Sequence, residues 1–243
     1  MKLAVVASIG SYRPEDIAKK TDHFKKVLQP GTEVDMFAAP SGVPYVESSM
    51  DLYMTQVAVA KTVVEVARRG YDAVVGTAFL DNGLDAAREL VDIPVVGPAK
   101  TTMYMATTLA NRFGVIVAAG DLAKHVWACA KNLGVADRLV GVPTLTCSVA
   151  DFLHDEDRSV ALTIAEGKKL VEEQGAEALV LGCGATTGLA ARMSGELGVP
   201  VLDPGLVAAK YAEMLVSLGL SQSKRAFPPN PRVLAMLMGT DSR

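Results

Sequence analysis

Gly70-Tyr71-Asp72-Ala73-Val74-Val75-Gly76-Thr77-Ala78-Phe79 and Gly175-Ala176-Glu177-Ala178-Leu179-Val180-Leu181-Gly182-Cys183-Gly184 are one passage written twice. Each copy runs from a glycine, through an apolar stretch of strand length, into a loop of small residues. The copies stay in register as far as Gly83-Leu84 and Gly188-Leu189. They slip by one residue before Ile93-Pro94-Val95-Val96 and Val199-Pro200-Val201-Leu202. A duplicated α/β unit predicts two similar lobes that face each other across a ligand site. The register sets Ala78 opposite Cys183, so one lobe offers a thiol where the other offers a methyl group.

Working outward, short β-branched runs alternate with helical patterns. Leu3–Ile9, Thr32–Phe37, Ala73–Val75 and Val95–Val96 read as strands. Pro14–Leu28, Leu52–Arg69 and Leu84–Leu90 read as the helices between them. Pro14 followed by Glu15 and Asp16 suits a helix N-terminus, and Gly70 suits a helix end. The series then restarts, with helices at Thr101–Ala110, Leu122–Leu133, Val160–Gln174, Leu189–Glu196 and Ala208–Leu218. Strands fall at Phe113–Val117, Leu139–Pro143, Ala178–Leu181 and Val201–Leu202. Fully apolar strands alternating with helices predict parallel α/β sheets covered on both faces. The lobes are expected to comprise residues 1–97 plus 205–243 and residues 98–204. The tail after Gly219, with Pro228, Pro229 and Pro231, is expected to wrap back without a regular element.

Half of the 243 residues are hydrophobic, enough for a sizeable core. A formal net charge of −3 gives no footprint for nucleic acid or an anionic membrane, and no apolar run is long enough to span a bilayer. Three widely spaced cysteines form neither a disulfide framework nor a CxxC metal site, which suggests a cytoplasmic protein with reduced thiols. The three histidines lack metal-ligand spacing, so no metal is expected.

Ligands of open parallel sheets bind beyond the carboxyl ends of the strands. There the repeats place Gly76-Thr77-Ala78 and Gly182-Cys183-Gly184-Ala185-Thr186-Thr187-Gly188. Such loops can direct N–H groups at an anionic oxygen, and a helix start beside Cys183 would lower its thiol pKa. Read without function, Cys183 is a small buried hydrophobe. Cys129, inside Val126-Trp127-Ala128-Cys129-Ala130, reads as core, and Cys147 is placed to reach the cleft. Thr101 and Thr102, at a strand end, and Thr186 and Thr187 are candidate donors to a substrate carbonyl. Glu47-Ser48 borders the cleft or caps the next helix. Asp81 reads as the N-cap of the helix beginning near Gly83, and Asp203 as a turn residue or a substrate contact.

These motifs resemble the aspartate/glutamate/hydantoin racemase superfamily, nearest its hydantoin and allantoin branch. The resemblance rests on Gly83-Leu84-Asp85-Ala86-Ala87-Arg88 with Pro94-Val95-Val96-Gly97. It rests equally on Ala176-Glu177-Ala178-Leu179-Val180-Leu181-Gly182-Cys183-Gly184 with Val199-Pro200-Val201-Leu202-Asp203. It spans Leu3 to Pro229. It implies two flavodoxin-like lobes related by a pseudo-two-fold axis, an active site between them, no cofactor, a small-molecule substrate and a homo-oligomer. It also implies two cysteines, one per lobe, working on opposite faces of the carbon beside a carbonyl. Inversion requires that arrangement, since an acid and a base must stand on opposite sides.

The chain departs from this pattern at two places. The family's first cysteine, set as Cys-Phe-x-Asp-x-Gly, falls on Ala78 in Ala78-Phe79-Leu80-Asp81-Asn82-Gly83. A one-residue loop shift would bring Thr77 to that position. The family's N-terminal Asn-Pro-Asn is replaced by Ser8-Ile9-Gly10-Ser11-Tyr12-Arg13, leaving Ser8, Gly10, Ser11 or Arg13 to meet the substrate on that side. Cys183, the Ala78 position of the missing first cysteine, and Thr77 are thus the candidate catalytic positions. Ser8, Gly10, Ser11, Glu47, Phe79, Thr101, Thr102, Gly182, Gly184, Ala185, Thr186 and Thr187 are the candidate binding residues. The expected activity is a cofactor-independent racemase or isomerase of a small carbonyl compound. A one-thiol decarboxylase, a cis–trans isomerase and a non-catalytic metabolite binder are the alternatives.

Overall fold

The computed structural model describes residues 1–118 and 121–239. The first lobe runs β1 (Lys2–Ala7), α1 (Pro14–Val27), β2 (Glu33–Ala38), α2 (Ser49–Arg68), β3 (Ala73–Gly76), α3 (Leu84–Leu90) and β4 (Val95–Val96). The second runs α4 (Pro98–Leu109), β5 (Phe113–Ile116), α5 (Ala123–Asn132), β6 (Leu139–Gly141), α6 (Val149–His154), α7 (Glu156–Glu172), β7 (Ala178–Leu181), α8 (Ala190–Leu197) and β8 (Val201–Leu202). Two helices follow, α9 (Pro204–Ser217) and α10 (Pro231–Leu237).

The strands form two separate parallel sheets with matching orders, β2-β1-β3-β4 and β6-β5-β7-β8. This is the flavodoxin-like pair of lobes related by a pseudo-two-fold axis. The repeated passages are the central strands β3 and β7, both fully buried. Helices on both faces leave them no contact with water, which is why both read as unbroken apolar runs. The paired glycines of the repeat, Gly83 and Gly188, both have positive φ, at 73° and 93°. Side-chain residues avoid that conformation, so the repeated glycines mark a repeated turn.

Each sheet is packed on both faces. Val59, Val63 and Val66 of α2 with Leu84 and Ala87 of α3 cover one face of the first sheet. Phe24 of α1 with Ala208, Ala209 and Ala212 of α9 cover the other. Around the second sheet, Met103, Val126 and Ala130 pack on one side and Ile164, Leu170 and Met193 on the other. Among the described residues, no helix is long and apolar enough to cross a membrane, and the three cysteines are free thiols.

Two expectations need correction. The proline-rich tail carries a regular element, α10. Pro231 occupies its first turn, where a missing N–H costs nothing, and the Asn230 side chain accepts from Val233 N at 3.2 Å. Asp81 does not cap α3. Its carboxylate accepts from Ala99 N at 2.9 Å and Lys100 N at 3.3 Å, and so caps α4 across the junction of the lobes. Within α2, most of Val57–Val66 lies in its own lobe's core. The exposed apolar side of α2 is instead Met50, Tyr53, Met54 and Val57.

Candidate active site

The chain turns into the cleft at the carboxyl ends of four central strands. Past β1 come Ser8, Ile9 and Tyr12, and past β3 come Thr77, Ala78, Phe79, Leu80 and Asn82. Past β5 come Val117 and Ala118, and past β7 come Gly182, Cys183, Gly184 and Ala185. With Val46, Leu52, Leu122, Val126 and Val149 these residues enclose a small, mostly apolar cavity of about 70 Å³. Two backbone bonds fix where the loops leave their sheets: Thr77 N donates to Val6 O at 3.0 Å and Gly182 N to Ile116 O at 2.7 Å. Ala78 and Cys183 therefore enter the cavity from opposite lobes, as the register of the repeat requires.

The two loops meet closely. A Cβ on Gly184 would lie 2.2 Å from the carbonyl oxygen of Thr77, which no side chain tolerates. Gly184→Ala is therefore expected to push the lobes apart at the cavity. The cost should be about 1–3 kcal/mol, read as a Tm lower by about 5 °C in a thermal scan. An unchanged Tm would show that the loops separate freely.

Cys183 precedes a single 3₁₀ turn, Gly184–Thr186, rather than a full helix. Its Sγ accepts from Ala185 N at 3.4 Å. That N–H and the charge of Lys20 favour the thiolate, but burial outweighs both and pushes the thiol up. The pKa depression expected from a helix start is thus absent, because one short turn aligns too few peptide dipoles. At neutral pH the group is mainly a thiol, which suits a proton donor.

Several expected ligand donors are engaged elsewhere. Thr186 Oγ1 donates to Cys183 O at 2.5 Å and Thr187 Oγ1 to Gly184 O at 3.0 Å, so both hydroxyls brace the thiol loop. The N–H groups of Gly182, Ala185, Thr186 and Thr187 are likewise bonded within the protein, and among the described residues those of Cys183 and Gly184 have no partner. Thr101 lies in a separate groove beside Tyr104, Tyr211 and Phe227, and donates to Gly97 O at 2.8 Å. Thr102 is fully buried and does not line the cavity; α4 begins at Pro98, a turn earlier than its sequence pattern suggests, and this turns both threonines away. Gly10 and Ser11 also stand outside, with Ser11 Oγ donating to Pro44 O at 2.6 Å.

Glu47 bridges the lobes by accepting from Val149 N at 2.8 Å, and Ser49 Oγ lies 2.8 Å from His125 Nε2. Asp203 caps α9 and accepts from Gly188 N at 2.6 Å. Cys147 donates to Ala118 O at 3.6 Å and does not line the cavity. Arg13 pairs with Glu15 and Asp16 at the start of α1.

The sequence reading missed two polar lining residues. Tyr12 is buried and its hydroxyl pKa is raised, first by burial and then by Cys183. Asn82 donates through Nδ2 to Thr55 Oγ1 at 3.0 Å, and Thr55 in turn donates to Leu52 O at 2.8 Å. That relay orients the amide and leaves Asn82 Oδ1 buried without a partner. Asn82 directly follows the motif position Asp81, and that adjacency was the one signal that could have singled it out.

Residues 18–212 match the family described as Asp/Glu/Hydantoin racemase. The hydantoin racemase of Pseudomonas sp. (strain NS671) is 34% identical over 200 residues, covering 82% of this chain and 80% of the relative. That of Paenarthrobacter aurescens is 34% identical over 204 residues, covering 84% and 86%. Among solved structures, the allantoin racemase from Klebsiella pneumoniae superposes with a TM-score of 0.88 at 29% identity, covering 95% of this chain and 94% of that one. With these racemase relatives, the two facing α/β lobes are those of an enzyme of the racemase class of isomerases. This chain belongs to the Asp/Glu/hydantoin racemase family.

Proposed function

We propose that the protein transfers a proton at the carbon beside a carbonyl in a small cyclic ureide. A 5-substituted hydantoin or allantoin is the substrate type, as in the names of its relatives. Cys183 is the proton-transfer group, and neither a metal nor an organic cofactor takes part. The observation that carries this reading is the placement of Cys183 in a cavity between the lobes, faced by the loop of Ala78. As a thiolate, Sγ takes the proton and the C–H electron pair moves onto the carbonyl as an enolate. As a thiol, it returns a proton to the same carbon. A largely apolar wall keeps water from competing and strengthens the fixed dipoles.

Asn82 fits the ureide part of this reading. A buried carbonyl oxygen without a partner is an acceptor for a ring N–H. Asn82→Leu, similar in size, is expected to raise KM about 10-fold with kcat nearly unchanged. It loses the bond to Thr55 Oγ1 but also removes an unsatisfied buried acceptor, so Tm should change by only a few degrees. A KM equal to wild type would take Asn82 out of the binding site.

The test is solvent exchange in D2O on both enantiomers of a 5-substituted hydantoin and of allantoin, followed by NMR and chiral chromatography, with Cys183→Ala as the blank. Exchange above the blank supports the reading, and exchange equal to the blank on every substrate overturns it. A second reading is favoured by Ala78, which leaves the cavity with one cysteine. A decarboxylase of a substituted malonate needs only one proton donor, and a methyl-lined wall favours loss of a carboxylate. Release of CO2 from such a malonate, without exchange on the ureides, would establish that reading instead.

A further inference from the structure

Lys20 is an unusual residue for the middle of α1. Its side chain is buried, 6% exposed, and leaves its own lobe to reach the β7–α8 loop of the other. Nζ donates to Gly184 O at 2.9 Å and Ala185 O at 3.1 Å, the carbonyls of the two residues after Cys183. It lies 5.6 Å from the centre of the Tyr12 ring, whose face attracts a cation. Lys20 forms no ion pair among the described residues. A buried ammonium held only by neutral groups is costly, and a structural bolt would be cheaper as a neutral amide.

The charged and titratable groups around it come from every packed element. Asp16, Lys19 and His23 share its helix, Tyr12 precedes it, Glu156 of α7 borders the same pocket, Asp203 follows β8, and Cys183, itself acted on by Glu47 and Cys147, stands on the loop it holds. The two largest opposing charges acting on Lys20 are Cys183 and then Asp203. Asp203 is already occupied by Gly188 N and Leu206 N. Lys20 is also the charge that most favours ionisation of Cys183.

We propose that Lys20 is the counter-ion of the Cys183 thiolate, holding the loop through its two carbonyl bonds and making the ionised sulfur accessible in an otherwise apolar cavity. Lys20 does not line the cavity and acts through Cys183. Burial lowers the ammonium to about 8 and pushes the thiol up, and each group in its charged form favours the charged form of the other. The inference rests on Cys183 being the reacting group, but its test requires no substrate.

The experiment is the pH dependence of alkylation by iodoacetamide, read at Cys183 by peptide mass spectrometry in wild type, Lys20→Gln and Lys20→Arg. Glutamine keeps an N–H donor for the loop carbonyls and removes the charge. Arginine keeps the charge. The expected result for Lys20→Gln is a Cys183 midpoint higher by at least about one pH unit and alkylation about 10-fold slower at pH 7.5, with Lys20→Arg close to wild type. A Lys20→Gln midpoint equal to wild type, even with a lowered Tm, would make Lys20 a structural bolt and overturn the proposal. Should Lys20→Gln fail to fold, a Lys20→Arg midpoint raised as far as that of Lys20→Met would overturn it equally, since charge would then not matter. Failure of ureide exchange alongside the expected midpoint shift would sink the substrate assignment and leave the ion pair standing.

Discussion

Ala78→Cys is expected to raise the rate of inversion of an enantiopure ureide by about 100-fold or more. Inversion needs proton transfer on both faces of one carbon, and a positioned acid–base group is worth about 10²–10⁴ in rate. The wild-type cavity has one cysteine, Cys183, and Ala78 enters from the facing lobe on the loop that corresponds to it. Ala78 is only partly buried, so a sulfur added at its Cβ extends into the cavity rather than into packed core. Chiral chromatography of a 5-substituted hydantoin reads the outcome. Thr77→Cys is the control for a one-residue error of register, because its N–H is fixed on Val6 O and its side chain stands one step away. A larger gain at residue 77 than at 78 would show that the reacting carbon faces Thr77.

The second large effect is at the thiol itself. Cys183→Ser is expected to reduce enzyme-dependent proton exchange at least about 1,000-fold, because a serine hydroxyl is far too weak an acid to replace a thiol at neutral pH. Serine is close in size to cysteine and can still accept from Ala185 N, so Tm should change little. Combining Ala78→Cys with Cys183→Ser moves the cavity's thiol to the other wall. Exchange should then return, with the preferred enantiomer reversed. Substantial exchange by Cys183→Ser alone would mean that another group carries the proton. Tyr12 is the candidate in the lining, although burial holds its hydroxyl firmly protonated.

Much of the fold was legible because central parallel strands have no polar side. Ala73–Val75 and Ala178–Leu181 read correctly from composition alone, and their repetition supplied the second lobe. The meeting of Thr77 and Ala78 with Cys183 followed from the same repeat. Other features depend on packing that no local pattern records. The helix α6 begins at a Ser148 capping box, where Asp151 returns a bond to the Ser148 N–H, too short a signal to stand out beside α7. Lys20 sits in an amphipathic helix rich in lysine, where any one ammonium reads as solvated until the facing lobe is seen to cover it. Asn82 became informative only once its amide was found pinned by Thr55. Thr101 and Thr102 misled because a strand end was taken to point into the cleft, while the early start of α4 faces them away.

The path of the chain at its end has a practical consequence. After completing the second sheet, the polypeptide returns as α9, and Ala208, Ala209 and Ala212 cover the same face of the first sheet as Phe24. The first lobe is therefore not one uninterrupted stretch of polypeptide, whereas the second is. A fragment ending near Gly97 would expose Ala73 and Val75 to water, and removing residues after Asp203 would strip the first sheet while leaving every strand in place. Division into complementing pieces must instead keep the final helix with the opening hundred residues, which a circular permutant begun inside the second lobe achieves.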